Sequence, residues 1–91
     1  ALHFGAADIK SVAFVSGSGS MALAPAAESQ IDLLISGEPK HEVYHSAKEL
    51  RMNAIFCGHY RTETFGVRSL QQHLEKEFNV GTVFIDEDSG I

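Results

Sequence analysis

Four short runs of apolar and β-branched residues divide this chain, and they predict four β-strands. The runs lie at residues 12–15, 31–35, 53–57 and 82–85. Three of them are nearly continuous in apolar character, which is typical of strands buried on both faces of a parallel sheet. The stretches between the runs are each long enough for one helix, which is the spacing of βαβ units.

The clearest predicted helix spans about residues 64–78. One apolar residue recurs there every three or four positions, which gives a helix with a single apolar stripe that we expect to face inward. The stripe consists of Val67, Leu70, Leu74 and Phe78.

Two further helices are predicted, and the chain's start is assigned no strand. One helix covers about residues 41–51, with Val43, Ala47 and Leu50 facing inward. The other covers about residues 20–30, where Pro25 must either kink the helix or shift its start. The first ten residues look like the tail of a helix followed by a loop.

The predicted fold is therefore α/β, with the order β-α-β-α-β-α-β in a single domain over residues 1–91. We expect a mostly parallel or mixed four-stranded sheet covered by helices, with the strand order left open. Ligands of such sheets bind at the carboxyl ends of the strands. Three predicted strands end there in glycine and polar residues, at 16–20, 36–38 and 58–63.

Charge, hydropathy and cysteine content make some classes of function and some cellular settings less favoured than others. The chain has 91 residues and a formal charge of −5, which disfavours nucleic acid as a partner because no phosphate counterions would be released. No segment is apolar for long enough to span a membrane. The single cysteine, Cys57, favours a reducing, cytoplasmic setting, and within an apolar run it is more readily a core residue than a nucleophile.

His59 and Glu63 are the first candidates for chemistry. They stand four residues apart, so on a helical turn both side chains point the same way. Imidazole nitrogen and carboxylate oxygen suit zinc, manganese, iron or nickel, although a catalytic site needs about three protein ligands. The plain alternative is a helix-opening turn, with Glu63 favoured near the positive end of the helix.

Other candidates carry weaker signals. Glu38, at a predicted strand end, could orient a ligand or carry a proton, or be a solvated turn residue. His41 and His45 are four apart, which allows a metal pair but favours a solvated helix face. The Ser-Gly-Ser-Gly-Ser loop at 16–20 resembles a phosphate cradle, but it lacks both the P-loop and the dinucleotide patterns, so a simple turn explains it nearly as well.

Several of these segments together resemble the C-terminal part of the Nif-three-like family, also known as homologues of a type-two GTP cyclohydrolase I. The resemblance rests on Ser-Gly-Glu at 36–38, Gly-His-Tyr-Arg-Thr-Glu at 58–63 and Phe-Ile-Asp at 84–86, with the glycine loop after residue 15. It covers nearly the whole chain. It implies half of a two-lobed fold, an absent N-terminal half, and a parent that assembles as a homo-oligomeric ring hexamer.

The resemblance also implies a function. It makes His59 and Glu63 ligands of a centre with two divalent metal ions, completed by residues outside this chain, and it places Glu38 in the cleft as a catalytic candidate. The parent would be a dinuclear-metal hydrolase acting on a nucleotide or another phosphate-bearing small molecule, and the fragment alone would be inactive. The alternative is a non-catalytic metal-binding scaffold or a transcription-linked interaction protein.

Overall fold

A computed structural model describes residues 1–90 and contains a mixed four-stranded sheet with three α-helices. The strands are β1 (Leu2–His3), β2 (Val12–Val15), β3 (Leu33–Ser36) and β4 (Asn53–Phe56). The helices are α1 (Leu23–Glu28), preceded by a 3₁₀ turn at Ser20–Ala22, α2 (Val43–Leu50) and α3 (His59–Phe78). The strand order across the sheet is β1-β4-β3-β2.

The three central predictions for strands are confirmed. β2 pairs with β3 and β3 pairs with β4, both in parallel, with Val12 opposite Leu33 and Leu33 opposite Asn53. The carboxyl ends of all three strands therefore lie at one edge of the sheet. That common edge brings together the polar segments that follow each strand.

The core lies between one face of the sheet and the helices α1 and α2. Leu34 and Ala54 point from the central strands into this layer and are fully buried. The remaining buried apolar residues are Leu23, Ala26, Val43, Ala47 and Met52. On β2, Val12 and Phe14 point the other way and are 51% and 55% exposed, so within residues 1–90 the second face of the sheet is open at β2.

The prediction of a strand at 82–85 is wrong, as is the helix tail expected at the start of the chain, although residues 4–10 do form a loop. The fourth strand is β1, which pairs antiparallel with β4. Residues 82–85 instead follow α3, and the Phe84 ring lies under the Arg68 guanidinium, 4.4 Å from it. The segment alternates like a strand, but within residues 1–90 it pairs with no strand.

Helices form in all three predicted regions, but some of their boundaries and some of their inward-facing residues differ from the prediction. α3 begins at His59, five residues earlier than predicted, and α2 is shorter than predicted at both ends. Leu50 of α2 was predicted to face inward and is exposed. Pro25 lies in the first turn of α1, where a missing N–H is tolerated.

Most of the apolar stripe of α3 is exposed within residues 1–90. Val67, Leu70 and Phe78 are 56%, 57% and 66% exposed, contrary to the predicted inward orientation. Thr62 is the one buried residue of the helix. Within residues 1–90 these three side chains of the stripe are left largely accessible, although Phe84 and Ile85 lie beside Val67. Among residues 1–90, no helix combines the length and apolar character needed to cross a bilayer.

Candidate metal-ligand site

Hydrogen bonds join the loops that follow β2, β3 and β4 at one edge of the sheet. The Glu38 N–H donates to the Gly17 carbonyl at 2.9 Å, and the Gly58 N–H donates to the Gly37 carbonyl at 2.7 Å. Backbone bonds of this kind fix the loops relative to one another. The side chains that these loops carry are therefore held on a rigid base.

Thr62 joins the loop after β2 to the first turn of α3. Its hydroxyl oxygen accepts a hydrogen bond from the Gly17 N–H at 2.8 Å. The hydroxyl proton is directed at the carbonyls of Gly58 and His59, at 2.9 and 3.0 Å. Sequence reasoning missed this role, although Thr62 lies inside the Gly-His-Tyr-Arg-Thr-Glu segment that pointed to its neighbours.

His59 lies between two carboxylates. Its Nδ1 is 2.9 Å from Oε1 of Glu38, and its Nε2 is 3.3 Å from Oε1 of Glu63. The hydrogen bond to Glu38 raises the pKa of His59 above 6.5, and the charge of Glu63 adds to this, while partial burial opposes it. The structure thus brings together all three residues that the sequence singled out.

Glycine at position 17 leaves the space beside the two candidate ligands free. A Cβ built there would lie 2.5 Å from Oε1 of Glu63 and 3.1 Å from Nε2 of His59. Gly17 also has φ +66°, in the left-handed region that favours glycine. Gly37 is similarly confined, because its Cβ would collide with the Gly17 carbonyl and the Thr62 hydroxyl.

The donor atoms of His59 and Glu63 fit part of a metal site. Two ligands at 2.0–2.1 Å from one tetrahedral ion stand about 3.3 Å apart, and the Nε2–Oε1 distance here is 3.3 Å. Within residues 1–90, no group of three His, Cys, Asp or Glu side chains is arranged to hold a metal. The described residues therefore present two converging donors, and a metal ion bound here would need further ligands from elsewhere.

The same pair also satisfies the plain alternative. α3 begins at His59, so the two residues do open a helix, as that alternative required. A helix-opening turn does not require the polar atoms of the two residues to converge. It also does not require the Glu38 carboxylate to lie on the opposite side of the imidazole.

The two histidines of the α2 region lie apart from this site. His41 precedes α2 and His45 lies on it, and both are exposed, with the His45 ring against the edge of Tyr44. The 16–20 loop borders the site through Gly17, and its Ser20 hydroxyl accepts the backbone N–H of Lys40. The expectation that Cys57 lies in the core is wrong, because β4 ends at Phe56 and the thiol is exposed.

Comparison with known proteins identifies relatives over nearly the whole chain. Residues 1–90 match the family described as Duf34/NIF3 (NGG1p interacting factor 3). Proteins of Pyrococcus abyssi and Archaeoglobus fulgidus, each named GTP cyclohydrolase 1 type 2 homolog, are 47% and 45% identical over 98% and 93% of this chain.

A solved structure from Thermus thermophilus superposes with a TM-score of 0.86 at 43% identity, over 99% of this chain and 36% of that one. The chain spans about a third of the length of the curated relatives it matches, 35% in both cases. These matches agree with the sheet topology and with the segments quoted from the sequence. The chain belongs to the Duf34/NIF3 family.

Proposed function

We propose that this chain contributes His59 and Glu63 to a dinuclear divalent-metal centre of a hydrolase, and that the remaining ligands lie in a part of the protein outside these 91 residues. The observation that carries the proposal is the convergence of His59 Nε2 and Glu63 Oε1, 3.3 Å apart, beside a glycine that leaves the space open. The position at the carboxyl ends of parallel strands, where such sheets bind ligands, supports it.

The metal would be zinc, manganese, iron or nickel, since these ions accept imidazole and carboxylate ligands. A bound pair of such ions activates water near neutral pH and stabilises the charge that develops on a hydrolysed group. The residues of this chain supply two donor atoms, hold the imidazole between carboxylates and keep the space next to Gly17 clear.

For the substrate we propose a nucleotide or another phosphate-bearing small molecule. The relatives named GTP cyclohydrolase 1 type 2 homolog support this class.

A non-catalytic, metal-dependent scaffold is the second candidate, and the exposed apolar surface favours it. The α3 stripe and the open sheet face leave Val67, Leu70 and Phe14 accessible, and contiguous apolar surface of this kind usually marks an interface. In this case the full-length protein would form a homo-oligomeric ring, and the metal would stabilise the assembly.

Metal analysis of the full-length protein with His59→Ala and Glu63→Ala tests the proposed site. We expect each variant to lose bound metal and nucleotide hydrolysis while the oligomer persists. His73→Ala is the matched control, because His73 is exposed on the same helix, away from the site. Full metal content in His59→Ala would contradict the ligand assignment. If the variants lost their metal but the wild type hydrolysed no nucleotide, the scaffold would be favoured.

The isolated 91-residue chain gives a second test, because it offers two donors rather than a full set. We expect weak metal binding, or none, in isothermal titration calorimetry, and no hydrolysis. Sub-micromolar affinity would show that these residues complete a site without the rest of the protein.

A further inference from the structure

Glu38 and Glu63 approach His59 from opposite sides of the imidazole ring. The closer contact is to Glu38, at 2.9 Å from Nδ1, whereas Glu63 is 3.3 Å from Nε2. Glu63 is also the more exposed of the two side chains, at 55% against 38%. The two carboxylates are therefore not equivalent partners of the ring.

The backbone at Glu38 is held in place from both sides. Its N–H donates to the Gly17 carbonyl, and the preceding Gly37 carbonyl accepts the Gly58 N–H. Pro39 follows and restricts the backbone of Glu38 to extended conformations. The Glu38 carboxylate therefore starts from a fixed base, while Glu63 projects from a helix turn.

A metal ligand must offer a lone pair, and a neutral imidazole has only one. Its proton is held on whichever nitrogen has the better acceptor, and that hydrogen bond determines which nitrogen is free. The closer and better anchored acceptor lies at Nδ1. The lone pair is then left on Nε2, the nitrogen that faces Glu63 and the space beside Gly17.

We infer that Glu38 is a positioning residue that holds the proton of neutral His59 on Nδ1, so that Nε2 presents its lone pair to a cation shared with Glu63. The inference rests on the proposed function, because it assigns how one of the proposed ligands is oriented. This positioning role takes the place of the proton-transfer role expected for Glu38 from the sequence. The Glu38 carboxylate contacts the side of the ring that faces away from Glu63.

The test uses the full-length protein with ¹⁵N-labelled histidine, stripped of metal, at a pH where His59 is neutral. In the wild type we expect the ¹⁵N shifts of a ring protonated at Nδ1. In Glu38→Ala, Glu63 is the remaining carboxylate at the ring, so the proton should move to Nε2. Glu38→Gln keeps an acceptor oxygen and should restore the Nδ1–H form. Glu28→Ala, an exposed glutamate on α1, is the control.

Zinc affinity, measured by competition with a chromophoric chelator, is the second readout. Loss of a hydrogen-bond partner behind a metal-binding histidine weakens binding about 10–100-fold, so we expect this loss in Glu38→Ala, less in Glu38→Gln and none in Glu28→Ala. Substitution at 38 should not unfold the protein, because the side chain is partly exposed and its backbone bond is independent of residue type.

An Nδ1–H ring in Glu38→Ala, or an unchanged zinc affinity in that variant, would overturn the inference. The failure of the proposed function looks different, because the wild-type protein itself would then bind none of zinc, manganese, iron and nickel. The NMR comparison needs no metal, so it decides where Glu38 holds the proton in either case.

Discussion

At the scale of single residues, Gly17 matters because it has no side chain where the candidate ligands converge. We predict that Gly17→Ala removes metal from the full-length protein, because the added methyl would lie 2.5 Å from Glu63 Oε1. The positive φ adds a cost of about 1–2 kcal/mol for a residue with a Cβ. Metal content and a denaturant melt measure the two effects.

Gly66→Ala is the matched control for this substitution. Gly66 lies within α3, and a Cβ there would meet no atom within 4 Å. Alanine in a helix interior should stabilise by about 0.5–1 kcal/mol, with metal content unchanged. If Gly17→Ala kept its metal, the space beside His59 and Glu63 would not be the cation position.

Thr62 supports the site through hydrogen bonds alone. We predict that Thr62→Val lowers the free energy of unfolding by about 1–3 kcal/mol, because the Gly17 N–H loses its acceptor inside the protein. Thr62→Ser keeps the hydroxyl and should recover most of the loss. Urea melts of both variants measure the difference, and equal stability of Val and Ser would show that the hydroxyl is unimportant.

His59 gives the metal-free protein a predictable dependence on pH. Because folding raises the pKa of His59 above 6.5, mainly through Glu38, the protonated ring stabilises the fold. That contribution is complete below pH 6.5 and is lost as the pH rises through the folded-state pKa. We expect wild-type Tm to fall over this range more than that of His59→Asn, in melts with a chelator. Parallel pH profiles would contradict the ion-pair geometry.

The sequence predicted part of the site for a simple reason. Two residues four apart on a helix share a face by geometry alone, so His59 and Glu63 could be paired from their spacing. The contact of Glu38 with Nδ1 of His59 could not be predicted in this way, because it depends on how adjacent strands are spaced. Thr62 was missed for the same reason, since its partner Gly17 is 45 residues away.

At the scale of elements, the segment after α3 is tied to the start of that helix by one side chain. The Tyr60 hydroxyl donates to Asp86 Oδ1 at 2.7 Å and accepts the Glu87 N–H at 3.0 Å. We predict that Tyr60→Phe releases this segment, at a cost of about 0.5–1.5 kcal/mol for each hydrogen bond. Hydrogen exchange should then increase at the Glu87 amide.

Tyr44→Phe is the control for Tyr60→Phe. The Tyr44 ring packs edge-on against Phe4, so its hydroxyl can be removed without releasing the C-terminal segment. Hydrogen exchange near residue 87 should match the wild type in this variant. Unchanged exchange in Tyr60→Phe would mean that other contacts, such as those of Phe84 with Arg68 and of Thr82 with Glu75, hold the segment.

Strand predictions succeeded where burial and local pattern agreed. The runs around β2, β3 and β4 are apolar enough to identify strands locally. β1 has only two residues, Leu2 and His3, so it carries too little pattern to be recognised. Residues 82–85 have strand-like alternation, but within residues 1–90 they lie against α3, where Phe84 contacts Arg68, and pair with no strand.

At the scale of the whole molecule, the chain is too extended for its length. Its radius of gyration is 16.0 Å, whereas a compact chain of this length would have about 12 Å. The longest element is α3, with 20 residues, and three residues of its stripe are exposed within residues 1–90. A helix with this stripe is stable mainly when the stripe is buried.

We therefore predict that the isolated 91-residue chain self-associates through α3. Val67→Lys with Leu70→Lys should shift it towards monomer in sedimentation velocity, because charges replace the exposed apolar surface. Gln71→Lys with Gln72→Lys is the control, since it adds the same charge to the same helix without removing apolar area. If the control dissociated the chain equally, net charge and not the stripe would govern the association, and a monomeric wild-type chain would contradict the prediction outright.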